Sequence, residues 1–184
     1  MKIFVTGATG FIGSNFVRYA TRCGHTVVAP FRPGRVRPVV QGINWFESDL
    51  DFLPVDCMLG CDALVHFAAA GVSPKKATQK ELMFWNVDVT LKLIEMASLS
   101  KVKRIIIAGS CAEYGRSAEL YKAIPPEAAL LPTSSYPASK AACFVSSYAA
   151  ALELGIELCY LRIFSAFGPS QFEGNLWPAI KKAA

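Results

Sequence analysis

The opening stretch MKIFVTGATGFIG limits what this chain can fold into more than any other feature. Residues 2–6 read as a short buried strand, and from Phe11 onward apolar residues recur at helical spacing. Gly7, Gly10 and Gly13 fall between the two. A strand that turns directly into a helix aims the helix's free N–H groups, and the positive end of its dipole, at whatever lies above the turn. The first glycine permits a tight turn, the second lets a pyrophosphate approach the backbone, and the third lets helix and strand pack closely. A glycine triplet alone says little. One that follows a strand and opens a helix predicts a dinucleotide site.

Composition bounds the rest. At 184 residues the chain can bury one good core, so a single dinucleotide-binding domain over 1–184 is expected. A hydrophobic content of 53% against 18% charged residues suits strands covered on both faces, as in a parallel sheet. No apolar run reaches about 18 residues, so no membrane span is expected. The N-terminus reads as a strand rather than a secretion signal. Six scattered cysteines, Cys57 and Cys61 the closest pair, are read as reduced thiols of a cytoplasmic protein and not as a metal site. The net charge of +5 is modest, and the basic residues form no aromatic-interleaved stripe, so no nucleic-acid partner is expected.

Strands and helices alternate along the chain. The first helix is expected to end near Arg22 and a second strand to cover 25–29. In NAD-binding versions of this unit a carboxylate at the end of that strand holds the ribose 2′-hydroxyl. Here the following loop offers Arg32, Arg35 and Arg37 and no carboxylate. Guanidinium groups suit a 2′-phosphate, so NADP is expected ahead of NAD, with a solvated basic loop as the alternative. A third strand at 42–47 leads to Asp49, which could meet an adenine amino group or cap the helical segment at 51–59. The fourth strand, 63–66, ends in His66, read as a packed histidine. Phe67, Ala68, Ala69 and Ala70 follow, leaving room for a ligand past the strand's carboxyl end. Lys75, Lys76 and Lys80 face either a phosphorylated ligand or solvent. A long helix over 79–98 contains Asn86, a poor helix former. The fifth strand, 105–108, runs into Gly109 and Ser110, and a proline-rich loop over 116–135 reads as functional. A helix over 136–154 and a sixth strand over 157–162 complete an α/β, doubly wound parallel sheet, the Rossmann fold.

Tyr136 and Lys140 are four residues apart at the start of a helix, so their side chains share one face. A free tyrosine titrates near pH 10, and a neighbouring ammonium favours the phenolate. Ser110, at a strand end, can hydrogen-bond a substrate hydroxyl or carbonyl. These three beside a dinucleotide turn form a site for proton transfer at an alcohol or ketone.

The motifs TGATGFIG, Asp49-Leu50, HFAAAG, Asn86, GSCAEYG, YPASK and LRIFSAFGP together resemble the extended branch of the short-chain dehydrogenase/reductase family, whose epimerases, dehydratases and ketoreductases act mainly on nucleotide sugars. The resemblance implies Tyr136 as acid/base and Lys140 as ligand of the nicotinamide ribose that also lowers the tyrosine's pKa. It implies Ser110 polarising the substrate oxygen and Asn86 supporting the lysine. Gly7, Thr9, Gly10, Phe11, Ile12 and Gly13 would cradle the pyrophosphate, Asp49 and Leu50 the adenine. Phe67, Ala68 and Ala69 would border the cofactor, and Arg32 would meet a 2′-phosphate. It also implies a homodimer paired through the helices over 79–98 and 136–154.

Departures from the pattern narrow the function. Cys111 and Ala112 stand where the similar 4,6-dehydratases carry an acidic pair, and Glu113 is displaced by one residue. Ser165 replaces the usual asparagine after the sixth strand. Relatives are usually longer, with a C-terminal region that grips the substrate and is largely absent here. The reading that follows is a 4-ketoreductase acting on a nucleotide sugar. A C4-epimerase is the alternative, and a non-catalytic dinucleotide-binding module is the rival of another class.

Overall fold

The computed structural model describes residues 1–35, 40–72 and 76–183. Six strands form one sheet: β1 (Lys2–Thr6), β2 (Thr26–Phe31), β3 (Ile43–Glu47), β4 (Ala63–His66), β5 (Arg104–Ser110) and β6 (Glu157–Ile163). Their order is β3-β2-β1-β4-β5-β6, every pairing parallel. This is the doubly wound order, in which the chain reverses direction across the sheet between β1 and β4 and opens a crevice at their carboxyl ends. The helices are α1 (Phe11–Arg22), α2 (Gln79–Met83), α3 (Val89–Leu99), α4 (Ser135–Leu154) and α5 (Leu176–Ala183).

Alternation along the strands splits the core in two. Ile3, Val5, Val27, Ala29 and Val65 pack with Val17 and Ala20 of α1. Phe4, Leu64, Ile105 and Ile107 face the other way, onto Leu93, Ile94 and Ala97 of α3 and Cys143 of α4. β4 is buried at all four positions, its apolar Ala63, Leu64 and Val65 ending in the buried polar His66.

Some boundaries differ from the sequence reading for local reasons. β2 runs two residues further than expected, because its pairing with β3 carries on to Phe31 opposite Glu47. β5 likewise continues to Ser110, opposite Ile163. The helix expected over 51–59 shrinks to one 3-10 turn at Leu50–Phe52. Leu53 precedes Pro54, which forces it into extended backbone (ψ 139°). The proline-rich stretch is not a free loop. Arg116 N–H donates to the Leu131 carbonyl at 3.0 Å and Leu131 N–H to Tyr114 at 3.3 Å, closing the segment at its base. Gly115 (φ 49°) is required there, because a side chain would collide with the Leu131 carbonyl. The helical run from Gln79 contains a π-helical stretch, Phe84–Asp88, with Asn86 buried inside it. α5 was not expected from the sequence.

Candidate active site

The glycine turn has the predicted form. Gly7 sits at φ 68°, and a Cβ on it would lie 2.6 Å from the Ala68 nitrogen, so the turns after β1 and β4 touch. A Cβ on Gly13 would run into the Gly7 carbonyl. Gly10 caps α1 with backbone alone, and no acidic residue occupies the helix's first turn. Unneutralised N–H groups at a helix N-terminus, with a cradle that side chains would fill, fit a pyrophosphate. Thr9 and Gly10 are exposed at the crown, with Phe11 and Ile12 half-buried behind them. A groove of about 460 Å³ runs along this turn, lined by Phe11, Ile12, Asn15, Phe67 and Pro169 among others. Phe67 is held against Phe16 with ring centroids 5.2 Å apart, and Ala69 is half-exposed beside it.

At the ribose end Arg32 is exposed just past β2. Arg37 and Lys75 lie outside the described residues. The reading that no carboxylate is available there needs correction. Glu47, at the end of the neighbouring β3, accepts the Gly34 N–H at 2.9 Å and so reaches the loop after β2 from the side. Sequence distance hid it; strand register brings it in. Asp49 and Leu50 are half-buried past β3, and Asp49 takes the N-cap position without a side-chain capping bond.

A buried polar chain links the crevice to α4. Thr6 Oγ1 lies 2.6 Å from His66 Nδ1, and His66 Nε2 lies 3.0 Å from Thr90 Oγ1, which donates to the Asn86 carbonyl at 2.9 Å. Because Thr90 spends its proton on Asn86, it accepts from an Nε2–H, and Nδ1 accepts from Thr6. Both ring nitrogens are thus committed with the imidazole neutral. Burial, then the nearby Lys140 charge, pushes the His66 pKa down to about 3. His66 is therefore a structural histidine held by side chains.

Asn86 (1% exposed) accepts the Ala70 N–H at 2.8 Å and donates to the Ala70 carbonyl at 3.3 Å and to Ser139 Oγ at 2.9 Å. Ser139 in turn donates to the Tyr136 carbonyl at 2.8 Å. The π-helical stretch thus sets Asn86 between the turn after β4 and the first turn of α4. The Asn86 hydrogen bonds to Ala70 and Ser139 anchor the turn that carries Tyr136.

Ser110 and Tyr136 are neighbours at the carboxyl edge of the sheet, and Lys140 follows one turn further along α4. Ser110 is the last residue of β5, and its hydroxyl accepts the Ala112 N–H at 3.2 Å. The Tyr136 ring lies against Gly71, where a Cβ would be 3.2 Å from Cδ2. Lys140 is buried beneath (2% exposed). The expected lowering of the tyrosine's pKa is not what the structure shows. Burial raises it, the neighbouring Ser110 side chain opposes that, and the charges of Glu113 and Cys111 add to the rise. Burial lowers the Lys140 pKa, against the raising influence of Cys143 and Glu113. In this form Tyr136 is a protonated phenol, able to donate to a carbonyl oxygen.

Glu113 is fully buried in an ion pair with Arg162 (3.0 Å) and does not stand in for the acidic pair missing at Cys111 and Ala112. Thr6, Thr90, Ser139, Tyr160 and Arg162 were not singled out from sequence. Ser139 sits within YPASK and Arg162 within LRIFSAFGP, so proximity to those motifs was the available signal.

Residues 3–184 match the model of the NAD dependent epimerase/dehydratase family. The chain belongs to that family. Among its relatives, the UDP-glucose 4-epimerase of Corynebacterium glutamicum is 27% identical over all of this chain and 59% of its own length. A dTDP-glucose 4,6-dehydratase of Streptomyces niveus is 29% identical over 97% of this chain and 57% of its own. The solved structure of MoeE5 in complex with UDP-glucuronic acid and NAD superposes with a TM-score of 0.86 at 30% identity, covering all of this chain and 61% of that one. The chain therefore spans under two thirds of the length of the family members it matches. Among the described residues no helix is long and apolar enough to cross a membrane, and no cluster of metal-ligating side chains occurs.

Proposed function

We propose that this chain is the cofactor-binding and hydride-transfer part of a nucleotide-sugar 4-epimerase that uses NAD. The observation that carries the reading is Tyr136 beside Ser110 and against Gly71 of the turn after β4, the turn that the glycine turn touches, with Lys140 buried one helical turn on. NAD, when bound, supplies the hydride acceptor and a positive ring charge that favours the phenolate. Tyr136 Oη would take the proton of a sugar hydroxyl and, in the reverse direction, give it back to the carbonyl oxygen. Ser110 Oγ hydrogen-bonds that oxygen throughout. Asn86 holds the turn that carries Tyr136.

NAD replaces the NADP expected from the basic loop. MoeE5 binds NAD, and Glu47 places a carboxylate beside that loop, where it disfavours a 2′-phosphate. The leaning toward a ketoreductase rested on NADP and falls with it. Water elimination is disfavoured, because Cys111 and Ala112 supply no acid/base pair and Glu113 is locked to Arg162. An exposed apolar face on α4 (Val145, Tyr148, Leu152) supports pairing with a second copy, and six free thiols support a cytoplasmic setting.

Calorimetric titration with NAD and NADP, followed by UDP-glucose to UDP-galactose conversion read by NMR, tests this. NAD binding that Arg32→Ala leaves unchanged, with conversion abolished by Tyr136→Phe, is the expected result. Tighter NADP binding that Arg32→Ala abolishes would return the ketoreductase reading. Full conversion by Tyr136→Phe would remove the proposed chemistry.

A further inference from the structure

Two N–H donors converge on the Glu113 carboxylate, which has no exposed surface, and the Tyr160 hydroxyl shares its one proton between that carboxylate and the Lys140 carbonyl. Ser110 N–H donates to Oε1 at 2.7 Å, the Tyr160 hydroxyl lies 3.1 Å from the same oxygen, and Arg162 Nε donates to Oε2 at 3.0 Å. The Tyr160 hydroxyl also lies 2.8 Å from the Lys140 carbonyl. Arg162 reaches on through Nη1 to the Pro126 carbonyl at 3.0 Å and stacks over Phe144 at 4.3 Å. One carboxylate thereby joins the strand end that carries Ser110, the helix turn that carries Lys140 and the proline-rich segment. Gly109 keeps the space open, since a Cβ there would lie 2.8 Å from Glu113 Oε1 and collide with the Tyr160 ring. A buried ion pair is a costly way to gain stability alone, because apolar residues of similar volume often do as well.

We infer that Glu113 is a positioning residue of this site, fixing Ser110 relative to the Tyr136–Lys140 face of α4 through the Ser110 amide and Tyr160. This rests on the reading of Ser110, Tyr136 and Lys140 as the reacting set. Without the carboxylate, the Ser110 N–H at the end of β5 loses its acceptor. Tyr160 keeps the Lys140 carbonyl as a partner but no longer ties it, through Glu113, to the Ser110 amide.

The test compares wild type with Glu113→Leu and with Glu113→Leu/Arg162→Leu. The single variant strands a partly buried guanidinium and can fail to fold. The double variant removes both charges, so net charge is unchanged, no buried charge is left unpaired and cooperative folding is expected. Tyrosine ζ-carbon NMR, with the Tyr136 signal assigned by Tyr136→Phe, reads the site without any substrate. In the double variant that signal is expected to move to the position it takes in Ser110→Ala, and kcat on a UDP-hexose to fall at least tenfold with KM within about threefold. A cooperatively folded double variant whose Tyr136 signal stays at the wild-type position, or whose kcat stays within threefold of wild type, overturns the inference. Wild type that converts no nucleotide sugar instead sinks the functional reading, and the NMR comparison still decides the role of Glu113.

Discussion

Acidification from pH 7 to pH 5 is expected to weaken this fold through His66. In the native state the ring is neutral, with Nδ1 accepting from Thr6 and Nε2 donating to Thr90, and its pKa is pushed down to about 3. In the unfolded chain an imidazole titrates near 6.5. Between those values the unfolded state binds a proton that the native state does not, so stability is fully present above about pH 6.5 and is lost as pH falls. With a native pKa far below the range, the loss between pH 7 and pH 5 works out at about 2 kcal/mol, toward a ceiling of about 5 kcal/mol below pH 3. Urea unfolding at pH 7, 6 and 5 reads this directly. At an m-value of about 2 kcal/mol/M, the midpoint should fall by about 1 M, with m itself unchanged. His66→Gln keeps one acceptor and one donor but cannot titrate. It should be less stable at pH 7 and lose the pH dependence, while His25, present in both proteins, cancels. A wild-type midpoint that moves by less than about 0.3 M, or an equal shift in His66→Gln, refutes the account of a buried neutral histidine.

Other perturbations reach the site's supports. Asn86→Ala strands the Ala70 N–H and carbonyl and should cost about 3 kcal/mol, lowering the melting temperature by roughly 6–12 °C. Its double-mutant cycle with Ser139→Ala should show a coupling of about 1 kcal/mol, and additivity would deny the bond between them. Gly13→Ala places a methyl group against the Gly7 carbonyl, so the turn must open and calorimetric NAD binding should weaken at least tenfold. Arg104→Ala breaks the exposed pair with Glu157 and should shift the urea midpoint by an amount worth under about 1 kcal/mol; a larger loss would mean the pair is less solvent-screened than its exposure indicates.

The local sequence determined a great deal about this protein. The spacing of Gly7, Gly10 and Gly13 between a strand and a helix sufficed for the dinucleotide turn, because conformational freedom and close approach are demands on single residues. The four-residue step from Tyr136 to Lys140 sufficed for their shared face, because helical periodicity is local. Alternating apolar segments sufficed for the parallel sheet. What depended on strand register or on packing between distant elements was decided only by the tertiary structure. Glu47 joins the loop after β2 because β3 lies beside β2, although 13 residues separate it from Gly34. Asn86 bonds Ser139 across 53 residues because a π-helical stretch sets it between two turns. Glu113 meets Arg162 and Tyr160 because β6 pairs with β5 in one register. The tyrosine's pKa followed the same rule. A lysine four residues away is visible in sequence, but the burial that raises the tyrosine's pKa comes from the elements folded around the phenol.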